Sequence, residues 1–146
     1  DLGRVCRYGS VRVDELMGLE QYSHVSHIVS NVTGTLRKGL DAFDVLQAVF
    51  PGGTVTGVPK VRCMELIESL EPVRRGAYTG SLGYINWSGD LDFNILIRTL
   101  TLTKGRGYLH AGAGIVADSI PEREYQETLL KAQAFLDALA TRPHPH

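Results

Sequence analysis

The sequence predicts an α+β fold, and three observations carry that expectation. Apolar residues recur at helical spacing in separate stretches near 41–50, 59–70 and 121–140. Between the last two, three strand-like runs follow one another over 78–116. The turns joining those runs are short, Ser88-Gly89-Asp90 and Lys104-Gly105-Arg106-Gly107, which implies an antiparallel meander, not crossover-linked parallel strands.

In order along the chain, the run Tyr22 to Ser30 reads as a strand. His24 and Ser26 would face one side of it, and Val25, His27 and Val29 the other. From Asp41 to Phe50, Ala42, Val45, Leu46 and Val49 form one helical face, with Asp41 as N-cap. Pro51-Gly52-Gly53 ends that helix, and a second begins near Pro59, a residue suited to a first turn. Its stripe of Cys63, Leu66, Ile67 and Leu70 is expected to be buried, with Arg62, Glu65 and Glu68 facing away. Strands are expected at Tyr78 to Trp87, Asp92 to Leu102 and Tyr108 to about Val116. The last helix runs from about Pro121 to Ala140, opened by a Ser119/Glu122 capping box and striped by Tyr125, Leu129, Ala132, Leu136 and Leu139.

Composition narrows the function. With 146 residues, the chain can build one domain with a core. A formal net charge of −1 argues against a general nucleic-acid binder. No apolar run reaches the roughly 18 residues of a membrane span. Cys6 and Cys63 stand far apart with no metal-ligand spacing, and read as reduced thiols of a cytosolic protein. The tail Arg142-Pro143-His144-Pro145-His146 reads as a flexible end, leaving 1–141 as the folded portion.

The stretch from Phe50 to Glu65 carries the strongest chemical signal. A glycine-rich loop runs into an amphipathic helix, so free backbone N–H groups and a helix start could seat an anion. It is not a P-loop, because Gly57 is not followed by Lys-Ser or Lys-Thr. Gly112-Ala113-Gly114-Ile115-Val116 imitates a dinucleotide fingerprint, but Asp118-Ser119-Ile120-Pro121 separates it from the next helix. The better reading is backbone pressed against a ligand or another strand, with amides near Gly112 and Gly114 able to hold a carboxylate. Glu124, Glu127 and Lys131 share one face of the last helix. That face is either solvated, with Glu127 and Lys131 as an ordinary pair, or a place for a hard cation such as Mg²⁺. His27 among apolar neighbours is either a core histidine or a catalyst. Arg98, beside Leu96 and Leu100 on a strand face, either closes a salt bridge or meets an anion. Tyr78 could simply be a core aromatic.

Several stretches resemble, in the same order, the chorismate-utilising enzymes, the component I chains of aminodeoxychorismate synthase and anthranilate synthase. They are Asp1-Leu2-Gly3-Arg4, Ser23 to Ser30, Gly52 to Glu65, Arg75-Gly76-x-Tyr78-x-Gly80, Ile97-Arg98-Thr99, and Ala111 to Ser119 running into Glu124-x-x-Glu127-Thr128. The resemblance implies antiparallel β-sheets packed with flanking helices and a cleft for chorismate. It implies that Glu124 and Glu127 bind Mg²⁺, which holds the ring carboxylate, and that Lys131 and amides near Gly112, Ala113 and Gly114 contact that carboxylate. Tyr78 and Arg98 would grip the enolpyruvyl carboxylate, a role suited to a planar guanidinium. His27 would sit near the departing C4 hydroxyl, and Thr54 would line the pocket. The reaction implied is amination of chorismate with ammonia from a glutamine amidotransferase partner.

The loop with two glycines, Pro51-Gly52-Gly53-Thr54, looks more like aminodeoxychorismate synthase, whereas Tyr22 to Ser30 looks like anthranilate synthase. The resemblance also places Asp1 well inside a catalytic domain. The chain is therefore expected to be the C-terminal part of a longer one and inactive alone, with the remaining metal-binding glutamates upstream. A reading of another class, a non-catalytic anion-binding α+β module, predicts that Tyr78, Arg98, Lys131, Glu124 and Glu127 are scattered.

Overall fold

The computed structural model describes residues 1–21 and 26–140, and it is mixed helix and antiparallel sheet, as the sequence predicts. The chain divides into two units, Asp1–Phe50 with Ile85–Leu91, and Pro51–Tyr84 with Asp92–His146.

The first unit starts with a 3-10 turn, Leu2–Arg4, followed by strand β1, Arg12–Gln21, strand β2, Ser26–Thr33, and helix α1, Ala42–Val49. β1 and β2 pair antiparallel from Arg12↔Thr33 to Gln21↔Ser26. The register shifts twice between Val13 and Gly18, where Met17 has a φ of 54° and donates its N–H to Ser30 Oγ at 3.0 Å. Such a bulge leaves a main-chain group for a side chain to satisfy. β1 has no counterpart in the sequence reading. His24 and Val25 lie outside the described residues.

α1 begins as expected. Asp41 Oδ1 accepts the N–H groups of Phe43 and Asp44 at 2.8 and 3.2 Å, and Asp44 Oδ2 accepts the Asp41 N–H at 2.8 Å. This reciprocal box satisfies N–H groups that a helix start otherwise leaves open. The core beneath is small. Val5, Cys6 and Ala48 are buried, with Leu2, Leu36, Leu40 and Val45 packed against them.

The second unit contains helix α2, Gly53–Thr56; helix α3, Lys60–Leu70; strand β3, from Gly83; strand β4, to Phe93; strand β5, Leu100–Thr103; strand β6, Arg106–Leu109; and helix α4, Pro121–Ala140. β3 ends at Ile85 and β4 starts at Leu91, so the tip of their hairpin is the segment grouped with the first unit. At that tip, Ser88 Oγ lies 2.6 Å from Asn86 Oδ1 and 2.5 Å from Asp90 Oδ2, so its one hydroxyl proton is shared between two acceptors.

Four expectations are corrected. First, the segment between the two expected helices is not all loop, because Gly53–Thr56 closes a helical turn capped by the Gly57 N–H on the Gly53 carbonyl at 2.7 Å. Gly57 then takes φ 94° and ψ 175°, a conformation essentially confined to glycine, before Pro59 caps α3. Second, there is no continuous meander. β3 pairs with β4 and β5 with β6, as separate two-stranded ladders. Residues 76–79 form a turn, with Thr79 at φ 64°, and a bend at Arg98, φ 50°, splits the expected 92–102 strand. Arg98 therefore shares no regular strand face with Leu96 and Leu100. Asn94 Oδ1 accepts the Leu82 N–H at 3.0 Å, replacing a ladder bond beyond β4.

Third, α4 starts with Pro121 in its first position, and Glu124 N–H bonds to the Ile120 carbonyl at 3.1 Å. Ile120 is thus the N-cap, and Ser119 lies one residue outside the expected box. Its Oγ accepts the Val116 N–H at 3.0 Å. Fourth, the apolar stripes are less covered than expected. Leu66 and Leu70 on α3 are exposed, and so are Tyr125, Leu129, Leu136 and Leu139 on α4. Periodicity sets which face of a helix is apolar, but not what covers it.

Candidate functional site

The site is built in the second unit, where α4 meets the segment after β6. Lys131 Nζ donates to the Gly112 carbonyl at 3.1 Å and lies 2.6 Å from Glu127 Oε1. The i,i+4 spacing of Glu127 and Lys131 makes the pair, and the long lysine stem lets one ammonium serve both partners. Both side chains are partly exposed, so the attraction is screened by water.

Gly112 is also pressed from another direction. A β-carbon on it would lie 2.9 Å from Tyr78 Oη, closer than side chains tolerate. The Gly112 backbone is pressed neither by a strand nor by a ligand, as the sequence reading had it, but by the Tyr78 side chain. At Gly114 a β-carbon would meet no atom within 4 Å. Ala113, between them, is half-buried.

Tyr78 in turn stacks on His110, with ring centroids 5.5 Å apart and planes 13° from parallel. Arg75 Cζ lies 5.6 Å from the Tyr78 ring centroid. The Arg75 guanidinium is forked onto Glu71, with Nη2 2.6 Å from Oε1 and Nε 2.9 Å from Oε2. Its Nη1 donates to the Val55 carbonyl of α2 at 2.9 Å and to Thr79 Oγ1 at 3.2 Å. Hydrogen bonding to Glu71 outweighs the loss of hydration and holds the Arg75 pKa above its ordinary value.

The sequence-derived residues fall as follows. Tyr78, Gly112, Lys131 and Glu127 are joined by direct contacts. Glu124, one turn before Glu127, is half-buried, and its carbonyl accepts Thr128 Oγ1 at 3.0 Å. Thr54 is exposed on the otherwise half-buried α2, next to the Val55 that Arg75 holds. Arg98 is exposed, two residues beyond Leu96, whose carbonyl accepts the Thr79 N–H at 2.9 Å. His27 belongs to the first unit, where it is half-buried and pairs with Glu20 in the β1–β2 ladder.

Sequence reasoning missed Arg75, Glu71 and His110 as members of this network. The i,i+4 spacing of Glu71 and Arg75 was the available signal, and it reads as an ordinary pair unless Tyr78 is known to lie beside it. Among the described residues, no three His, Cys, Asp or Glu side chains are grouped closely enough to hold a metal by themselves. The donors on the Glu124–Glu127 face are carboxylate oxygens, the type that suits Mg²⁺ where substrate oxygens and water complete the shell.

The sequence also matches, over residues 1–137, the profile of the family described as chorismate binding enzyme. The chain belongs to the chorismate-binding enzymes. Among its relatives in that family is an aminodeoxychorismate synthase component 1 of Bacillus subtilis, 60% identical over 139 residues, which are 95% of this chain and 30% of the relative. An anthranilate synthase component 1 of Aquifex aeolicus is 56% identical, over 95% of this chain and 28% of the relative. The solved anthranilate synthase component I of Streptococcus pneumoniae superposes with a TM-score of 0.83 at 47% identity, covering 90% of this chain and 30% of that one. The chain thus spans about a third of the length of these chorismate-binding relatives, as the sequence reading expected of a part of a longer protein.

Proposed function

We propose that the protein containing this chain aminates chorismate with loss of the C4 hydroxyl, giving 4-amino-4-deoxychorismate. The observation that carries this reading is the joining of Tyr78, Gly112, Lys131 and Glu127 in one network, in a chain of the chorismate-binding family. Of the five residues whose scattering would mark the non-catalytic alternative, Tyr78, Lys131 and Glu127 belong to this network, while Arg98 and Glu124 are not among its members.

Each residue has a task that its chemistry suits. Tyr78, by a phenol hydroxyl, and Arg98, by a planar fork, would grip the enolpyruvyl carboxylate. Lys131, with amides near Gly112, Ala113 and Gly114, would meet the ring carboxylate. Thr54 would line the pocket, and His27 would attend the C4 hydroxyl as it leaves. Glu124 and Glu127 would hold Mg²⁺, which supplies Lewis-acid stabilisation of negative charge when bound. Ammonia would come from a glutamine amidotransferase partner, and the cytosol is the expected setting.

A second reading, anthranilate synthesis with release of pyruvate, is favoured by the Tyr22 to Ser30 segment and by the Aquifex relative. Mass spectrometry of the product formed by the complete protein from chorismate, Mg²⁺ and an ammonium salt decides between them. The expected product is 4-amino-4-deoxychorismate, absent with Glu127→Ala. Anthranilate would select the second reading, and no turnover would overturn both.

A further inference from the structure

Arg75 has no task in the reading above, yet it meets the Tyr78 ring and three groups around it. Its guanidinium reaches Glu71 at the end of α3, the Val55 carbonyl of α2, the Thr79 hydroxyl and the Tyr78 ring. These partners come from both sides of α3, twenty positions apart in the case of Val55. We propose that Arg75 is a positioning residue, which holds the glycine-loop turn and the Tyr78 ring in one geometry and so sets the grip of Tyr78 on substrate.

The Val55 carbonyl belongs to a single helical turn, whose last carbonyls lack helical partners and need a donor. Arg75 supplies it, which fixes that turn against the segment carrying Tyr78. Next, a half-buried guanidinium is costly unless paired, and the Glu71 carboxylate meets it with two oxygens. The charge is thus held at a set place and does not swing into solvent. Finally, the guanidinium nitrogens are divided among three partners, Nε and Nη2 to Glu71 and Nη1 to Val55 and Thr79, while the Tyr78 ring lies within cation–π range. A lysine ammonium cannot reproduce that planar fork. His110 completes the setting by stacking on the same Tyr78 ring.

The effect on substrate rests on the proposed grip of Tyr78 on a carboxylate, so the test has two arms. The first reads the contact without turnover. In the complete protein, Tyr78 is replaced by 3-fluorotyrosine and its fluorine resonance is followed in Arg75→Lys and in Glu71→Gln. Displacement and broadening in both variants are expected. An unmoved resonance in either folded variant overturns the positioning role, whatever the enzyme does.

The second arm is kinetic. Arg75→Lys is expected to raise the KM for chorismate about tenfold with kcat nearly unchanged, the pattern of lost uniform binding. In a Tyr78→Phe background the same change should shrink to below about threefold, because neighbours acting through one another are not additive. An undiminished effect in that background, or an unchanged KM, would overturn the inference. If Arg75→Lys does not fold, Glu71→Gln carries the same comparison. Absence of chorismate turnover in the unaltered protein would sink the functional reading instead, and the fluorine arm would still decide the role of Arg75.

Discussion

Lys131 donates from Nζ to the carbonyl of Gly112, a residue nineteen positions earlier, at 3.1 Å. One ammonium therefore ties α4 to the glycine-bearing segment after β6, while its other contact is Glu127 on its own helix. Replacing Lys131 with Met keeps most of the apolar stem and removes the donor. A hydrogen bond from a charged group contributes about 1.5–3 kcal/mol when sheltered, and less at this partly exposed site. Amide exchange at Gly112–Gly114 is expected to quicken several-fold in Lys131→Met with exchange in α1 unaltered. Equal protection in both proteins would show that the tie is incidental.

Glu127→Gln separates structure from chemistry. The Glu127–Lys131 pair is half in solvent, so its loss should lower stability by less than about 1 kcal/mol. The magnesium concentration needed for half-maximal turnover of the complete protein should rise far more, since losing even an outer-shell partner weakens metal affinity about 10–100-fold. Titrating activity with Mg²⁺ checks this. A magnesium dependence identical to that of the unaltered protein would remove Glu127 from the proposed metal site.

Gly57 is the residue at which α2 turns toward α3. Ala there would adopt φ 94° against its preference and would put a β-carbon 2.9 Å from Cys63 Sγ. Gly57→Ala is expected to destabilise by about 1–3 kcal/mol, measured by denaturant unfolding. A companion change, Gly3→Ala, has open space around its β-carbon and should be close to neutral.

At the start of α1, Asp41→Ala removes the acceptor of two N–H groups and half of a capping box. The expected loss is about 1 kcal/mol, within the range of about 0.5–2 known for such caps. Asp41→Asn, which keeps an acceptor oxygen, should recover most of it. Unfolding curves of the two variants give the comparison.

The hairpin tip supplies a pH effect of definite sign. Hydrogen bonds from Ser88 and then Asn86 lower the pKa of Asp90 below its ordinary value of 3.8. A carboxylate whose folded pKa is depressed stabilises the fold above its ordinary pKa and loses that contribution as pH falls through the depressed value. Carbon-detected NMR titration should place the Asp90 midpoint below 3.8, and Ser88→Ala should move it up toward that value. A midpoint indifferent to Ser88→Ala would contradict the assigned cause.

How much of this was legible in the sequence depended on whether the signal was local. The α1 cap was readable because Asp41 and its targets lie within three residues. The full extent of α4, Pro121–Ala140, was readable because its periodicity is long and a proline marks its start. Arg98 was misread, because a strand pattern in Ile, Leu and Thr cannot announce a backbone bend at one residue. Of the residues joined in the candidate site, Tyr78 and Gly112 were named through family resemblance, and the Glu127–Lys131 pair was legible through spacing. The stacking of His110 on Tyr78 joins residues far apart in sequence, and no pattern of either segment alone announces it.

Cys6 is buried in the small core of the first unit, whereas Cys63 on α3 is only half-buried. A thiol sealed in a core reacts with an alkylating reagent only in those molecules whose core has momentarily opened. The chain thereby carries a built-in clock. The slow labelling of Cys6, timed against the faster labelling of Cys63, counts how often that core breathes.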